Sequence, residues 1–149
     1  MDAEEYKLID EVVGPSTVML EWGSGHSTVR YASRVNRLCS VEHNPKWYEK
    51  VKAEVSKSDD YRLVPAPNRN YTAYVEAVKF FGTKFSVVLV DGHARLQCLL
   101  EVIPWLADQH VVFLHDYNGL YYKPALKEFR LIDKVGWLAV LDLKRRGKG

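Results

Sequence analysis

The sequence predicts an α/β protein built on a mostly parallel β-sheet with helices packed on both faces. Three observations carry that expectation. Short runs of β-branched and apolar residues alternate with amphipathic segments along the chain. One run, Phe85 to Val90, is almost continuously apolar, as a central strand covered on both faces requires. At 149 residues the chain has the length of one domain, without an internal repeat or a linker long enough to separate two.

The elements follow in order. Ala3 to Val13 carries Tyr6, Leu8, Ile9, Val12 and Val13 at helical spacing, and Gly14-Pro15 ends it. Thr17 to Leu20 reads as a short buried strand running into Glu21-Trp22-Gly23-Ser24-Gly25, with a helix over Ser27 to Ser33. Leu38 to Val41 is the second strand. Asn44-Pro45 then opens a helix to about Val55, with Asn44 as cap and Pro45 at the first position. Tyr61 to Val64 is a third strand, and Pro65, Pro67 and Asn68 form a loop before a helix from Tyr71 to Phe80. After Phe85 to Val90 come a helix from Ala94 to Leu106, tolerating Pro104 near its end, and a strand from His110 to Leu114. Tyr122 to Phe129 reads as a short helix. Val135 to Leu143 reads as one long strand that can hairpin with Leu131 to Lys134.

An apolar share of 47% and a charged share of 27% suit a chain that folds around a core, which excludes a disordered tail or a fibre. Cys39 and Cys98 lie in apolar surroundings, 59 residues apart, and read as buried thiols of a reducing compartment rather than a bridge or a zinc pair. No apolar run reaches 18 residues and the first residues are acidic, so a cytoplasmic protein without membrane contact is expected. The net charge of +2 is carried by the tail. Lys144, Arg145, Arg146 and Lys148 are four of the 21 basic residues, and without them 17 face 19 acidic ones. Nucleic acid is therefore not the expected partner.

In an open α/β sheet ligands sit beyond the carboxyl ends of the strands, where strand order reverses. Glu21 to Ser27 lies at such an end, and Gly23 and Gly25 allow a tight turn with close backbone approach. The dinucleotide fingerprint is incomplete, since Thr28 stands where a third glycine belongs, and no phosphate-loop pattern occurs. Glu21 would repel a pyrophosphate but suits a cationic ligand. Glu42 follows Gly23 by 19 residues, at a strand end where a carboxylate can accept both hydroxyls of a ribose. In isolation it reads equally as a solvated acid ahead of a helix.

With Glu21-Trp22-Gly23-Ser24-Gly25 after the first strand and Glu42 after the second, the chain resembles the class I, Rossmann-like methyltransferases that use S-adenosylmethionine. It is similar to a small branch with an E-x-G-x-G-x-S-T turn, here Glu21 to Thr28. That branch also has V-D-G at the fourth strand, here Val90-Asp91-Gly92, and H-D at the fifth, here His115-Asp116. The resemblance implies a single three-layer domain over 1–149 with a mostly parallel seven-stranded sheet. Its implied strand order is 3-2-1-4-5-7-6, with the last strand antiparallel. It carries over Glu21, Gly23, Gly25 and Glu42 as cofactor contacts. Ser24, His26 and Ser27 would line the turn near the methionine part, and His43 and Asn44 would lie beside the adenosine.

Asp91, His93 and Arg95 fall together after the fourth strand, and His115 and Asp116 end the fifth. As bare residues the two aspartates can cap helices, and Arg95 can pair with one of them. Two chemical schemes remain open. Asp91 and Asp116 could hold a divalent cation such as Mg2+, as in the metal-dependent O-methyltransferases that the chain resembles; Tyr117 departs from the Asp-Asn pair usual there. Alternatively His93 or His115 takes the acceptor's proton, oriented by Asp91 or Asp116.

The expected reaction is methyl transfer to an oxygen of a small polar or sugar-like acceptor. The alternatives are a non-catalytic cofactor-binding scaffold and a nucleic-acid methyltransferase using the basic tail. Little chain is left for acceptor recognition, so a second copy or partner chain is expected to complete the pocket. Tyr117 to Tyr122 reads either as a mobile lid over the acceptor or as the tyrosines of a plain helix-packing loop. Trp105 and Trp137 read as core, and Trp22 either as a plug under the turn or as a cofactor contact.

Overall fold

Asp2 starts the first helix. Its carboxylate accepts from the Glu5 amide while the Glu5 carboxylate accepts from the Asp2 amide, a reciprocal cap. The computed structural model describes residues 1–55 and 60–144. Arg145, Arg146 and Lys148 of the basic tail lie outside the described residues. The chain runs α1 (Ala3–Asp10), β1 (Val18–Trp22), α2 (His26–Tyr31), β2 (Arg37–Glu42), α3 (Pro45–Lys52) and β3 (Tyr61–Leu63). It continues through α4 (Thr72–Glu76), β4 (Phe85–Val90), α5 (Arg95–Glu101), β5 (Leu106–His115), β6 (Phe129–Val135) and β7 (Leu138–Leu143).

The strands form one sheet in the order β3-β2-β1-β4-β5-β7-β6. Pairing is parallel from β3 to β5, and β7 runs antiparallel to both of its neighbours. This is the α/β architecture and strand order expected above. Strand order reverses between β1 and β4, which places the switch-point crevice beside the glycine turn.

Alternation along the strands sorts side chains between two cores. Leu20, Trp22, Cys39, Val41, Val88 and Val90 face the larger core, toward α4 and α5. Met19, Val87, Leu89 and Phe113 face the smaller one, with Ile9 of α1 and Tyr31 of α2. Continuing that alternation puts Glu21, Glu42, Asp91 and His115 on the face covered by α1 and α2. The acids of the site therefore share a face because they share a parity.

Several boundaries differ from the sequence reading. The first helix stops at Asp10, and α4 gives way to a 3-10 turn over Ala77–Phe81 that ends at Gly82 with φ +62°. The helix before β5 ends at Glu101; Pro104 sits in a separate 3-10 turn, Ile103–Trp105, and β5 begins at Leu106 rather than His110. Tyr122 to Phe129 holds only a 3-10 turn, Ala125–Lys127, because Phe129 is drawn into the core as the first residue of β6. The long C-terminal strand breaks at Gly136, whose φ of +57° makes the hairpin turn. Trp137, on that turn, is 64% exposed and not core, while Trp105 is half-buried against the larger core. Cys39 and Cys98 are buried free thiols, as expected. Among the described residues no helix is long and apolar enough to cross a membrane.

Candidate functional site at the carboxyl ends of the strands

Gly23 takes φ +89°, and a Cβ there would fall 2.7 Å from the Asp91 carbonyl oxygen and the Gly92 Cα. Only glycine lets the turn after β1 close onto the end of β4. Trp22 is the plug beneath: it is fully buried, and its indole N–H donates to the Tyr74 carbonyl at 3.0 Å. Asn44 caps α3 by accepting from the Trp47 amide, and Pro45 follows at the first helical position, as expected. Trp47 then reaches back, donating its indole N–H to the Ser24 carbonyl at 2.7 Å. Turn and helix together wall a cavity of about 470 Å³ lined in part by Gly23, Ser24, Glu42, Asn44, Asp91 and His93.

Glu42 lines this cavity at 4% exposure. One of its oxygens accepts from the Ser24 amide (2.9 Å) and hydroxyl (2.7 Å), the other from the His43 (3.1 Å) and Asn44 (3.0 Å) amides. The Ser24 hydroxyl lies 2.5 Å from the Tyr61 hydroxyl, so it has a second partner if it leaves Glu42. Glu21 sits one layer below, fully buried. Its carboxylate accepts from Ser27 (2.7 Å), Ser40 (2.8 Å) and Thr28. Burial pushes its pKa up to about 7 against the pull of those hydroxyls. Glu21 thus braces the turn from beneath rather than facing the cavity, and the Ser27 hydroxyl is spent on it. His26 is exposed on α2 with its ring edge-on to Tyr6 at 5.3 Å, away from the cavity lining. The resemblance had Glu21 as a cofactor contact and His26 and Ser27 as lining the turn; the pleat and the helix start place all three beneath or beside the turn, outside this cavity's lining.

On the β4–β5 side Asp91 and His93 line the cavity. Burial pushes the Asp91 carboxyl up while His115 and Arg95 pull it down. His93 stacks on Tyr71 (5.0 Å between centroids, 5° between planes) and meets His43 edge-on at 4.4 Å. Burial first, then the nearby His43 and Arg95, push its pKa down and favour the neutral ring. His115 is withdrawn from the lining, with Nδ1 3.1 Å from Asp91 and Nε2 3.1 Å from Glu5. Both of its ring nitrogens thus lie against carboxylates of the chain. Asp116 takes φ +58° and points outward at 60% side-chain exposure.

Arg95 joins the two strand ends. Its Nε donates to the Gly92 carbonyl at 2.7 Å and its Nη1 to the His115 carbonyl at 2.5 Å. The same guanidinium lies 3.1 Å from Asp116 and 3.7 Å from Asp91. A divalent ion between the two aspartates does not fit this arrangement, because Arg95 already supplies the cation there. Among the described residues no group of three or more His, Cys, Asp or Glu is arranged to hold a metal ion. The lid expectation also changes. Tyr117 and Tyr122 are buried and stacked at 6.1 Å, leaving Leu120 and Tyr121 outside.

Sequence reasoning missed Glu5, Tyr61 and Tyr71. Glu5 had a signal only as a helix-cap residue, and the tyrosines had none. A second cavity of about 500 Å³ opens at the opposite ends of the strands beside Thr17, Ser86, Asp108 and His110. It has no glycine turn and lies at the end of the sheet where ligands of this architecture do not bind.

No family model matches the chain, and no curated protein matches it. Solved structures do. A methyltransferase-like protein from Silicibacter pomeroyi superposes with a TM-score of 0.79 at 24% identity, over 97% of this chain and 87% of that one. Precorrin 8w decarboxylase from Methanobacterium thermoautotrophicum gives 0.67 at 14% identity, over 95% and 89%. A protein from Streptococcus mutans, assigned as a methyltransferase and solved in complex with SAH, gives 0.65 at 9% identity, over 97% and 100%. The chain has the class I, Rossmann-like methyltransferase fold. At these identities the likeness concerns the fold, and what the site does rests on its own chemistry.

Proposed function

We propose that this chain binds S-adenosylmethionine and transfers its methyl group to an oxygen of a small polar acceptor. The observation that carries the reading is the convergence of the glycine turn, Glu42 and Asp91 on one cavity. Its donor set fits that cofactor: carboxylates for a diol and for cationic centres, and a bare glycine backbone where the ligand must approach closely. When bound, the cofactor supplies a methyl already activated as a sulfonium. Glu42 accepts the ribose hydroxyls once the Ser24 hydroxyl turns to Tyr61. Asp91 faces the positively charged end. His93, held neutral and oriented by the Tyr71 stack, takes the proton of the acceptor hydroxyl on its imidazole nitrogen. The acceptor's size, and a second copy or partner chain around the cavity mouth, belong to the same proposal.

A cofactor-binding protein without turnover is the second reading. What favours it is that, of the two candidate bases, only His93 lines the cavity. Calorimetric titration with S-adenosylmethionine and S-adenosylhomocysteine tests the first step, with NAD as control. Both sulfur ligands bind, NAD does not, and Glu42→Ala weakens binding at least ~tenfold, the value of one hydrogen bond to a charged group. Absence of binding at millimolar ligand by folded protein overturns the reading. Binding without methyl release across acceptor pools selects the second one.

A further inference from the structure

We propose that Glu5 and His115 are positioning residues that hold the Asp91 carboxylate toward a cationic group of the ligand. This rests on the cofactor reading above and extends the site to the first helix.

Glu5 is 2% exposed and fixed by backbone donors on both oxygens. Oε1 accepts from the Asp2 amide at 2.9 Å, and Oε2 from the Trp137 amide at 3.2 Å, across 132 residues of chain. Oε2 also lies 3.1 Å from His115 Nε2. That nitrogen is buried without an aligned hydrogen bond, so the contact acts as a close charged wall behind the ring. With Nε2 against Glu5, the ring turns Nδ1 toward Asp91 Oδ1 at 3.1 Å and Asp116 Oδ1 at 3.5 Å. The ring is thus packed with one nitrogen against Glu5 and the other on the Asp91 side.

The consequence falls on Asp91. The nearest approaches of His115 Nδ1 (3.1 Å) and Arg95 Nη2 (3.7 Å) both fall on Oδ1. The Asp91 side chain keeps 27% exposure and lines the cavity. A carboxylate braced from behind and partly exposed on a cavity recognises a compact donor cation, and an α-ammonium with three N–H groups is such a donor. The chain therefore discriminates by the presence of that ammonium.

Two probes separate the effect. S-adenosylhomocysteine carries the amino-acid end; 5′-methylthioadenosine keeps the nucleoside and sulfur but lacks the ammonium. Both are titrated into wild type, Glu5→Gln, His115→Phe and His115→Asn, with folding checked by near-UV circular dichroism. Glu5→Gln and His115→Phe are expected to weaken S-adenosylhomocysteine about tenfold, the value of one charged contact, and to leave 5′-methylthioadenosine unchanged. His115→Asn, whose amide nitrogen stands near the place of Nδ1, retains most of the affinity. Equal losses for both ligands, or no loss for either, overturn the positioning role. Wild type that binds neither ligand overturns the cofactor reading and this proposal with it. If His115→Phe does not fold, Glu5→Gln against His115→Asn decides alone.

Discussion

The two halves of the strand-end crevice satisfy their acids by different means. On the β1–β2 side, Glu21 and Glu42 are held by hydroxyls and backbone amides. On the β4–β5 side, Asp91 and Asp116 lie against an arginine and an imidazole. Neutral donors fix an acid's place without neutralising it, so the first half is a finished mould whose shape is its function. Charged partners leave the second half able to trade one cation for another. A ligand with hydroxyls at one end and a cation at the other matches that division.

Gly23 is where the two halves touch, and changing it breaks the comparison most severely. Gly23→Ala forces a Cβ to within 2.7 Å of backbone atoms of Asp91 and Gly92, at φ +89°. Backbone cannot yield cheaply, so a loss of roughly 2–4 kcal/mol in urea unfolding is expected, with ligand binding abolished. Unchanged stability and binding would mean that the halves are not mechanically joined.

A smaller effect sharpens the account of the first half. Burial holds the Glu21 carboxyl at about 7 in the folded chain, against an ordinary value of 4.5. Between those values the unfolded chain has lost this proton and the folded one keeps it. Stability attributable to Glu21 therefore falls as pH rises from about 4.5 to about 7, by on the order of 3 kcal/mol. Asp91, also raised, adds the same sign; His93, lowered, adds the opposite. The difference between the wild-type and Glu21→Gln stability curves isolates one residue. A difference flat across that interval would show Glu21 to be ionised throughout.

The smallest effect belongs to the second half. Lysine at position 95 cannot span the Gly92 and His115 carbonyls together, so Arg95→Lys costs about 1–2 kcal/mol in the same unfolding assay. Its contact with Asp116 adds little, because that carboxylate is 60% exposed and screened by solvent. Full stability in the lysine variant would indicate that the strand ends are held by the sheet alone.

Much of this was legible in the chain. Parity along β1, β2, β4 and β5 determines that Glu21, Glu42, Asp91 and His115 share a sheet face, and Asn44-Pro45 determines where α3 starts. These are short-range properties: pleat, cap chemistry and the conformational range of glycine act between near neighbours, so a sequence displays them directly. The roles within that set were decided by packing. Glu21 lies under the turn and Glu42 in the cavity because the serines and Thr28 that receive Glu21 come from two other elements. His115 lies between Glu5 and Asp91 because α1 delivers Glu5 to its strand end. Trp137, patterned like core, is left in solvent because Gly136 turns the chain before the sheet can cover it. Which helix crosses which strand end depends on the whole core at once, and no local pattern in the sequence records it.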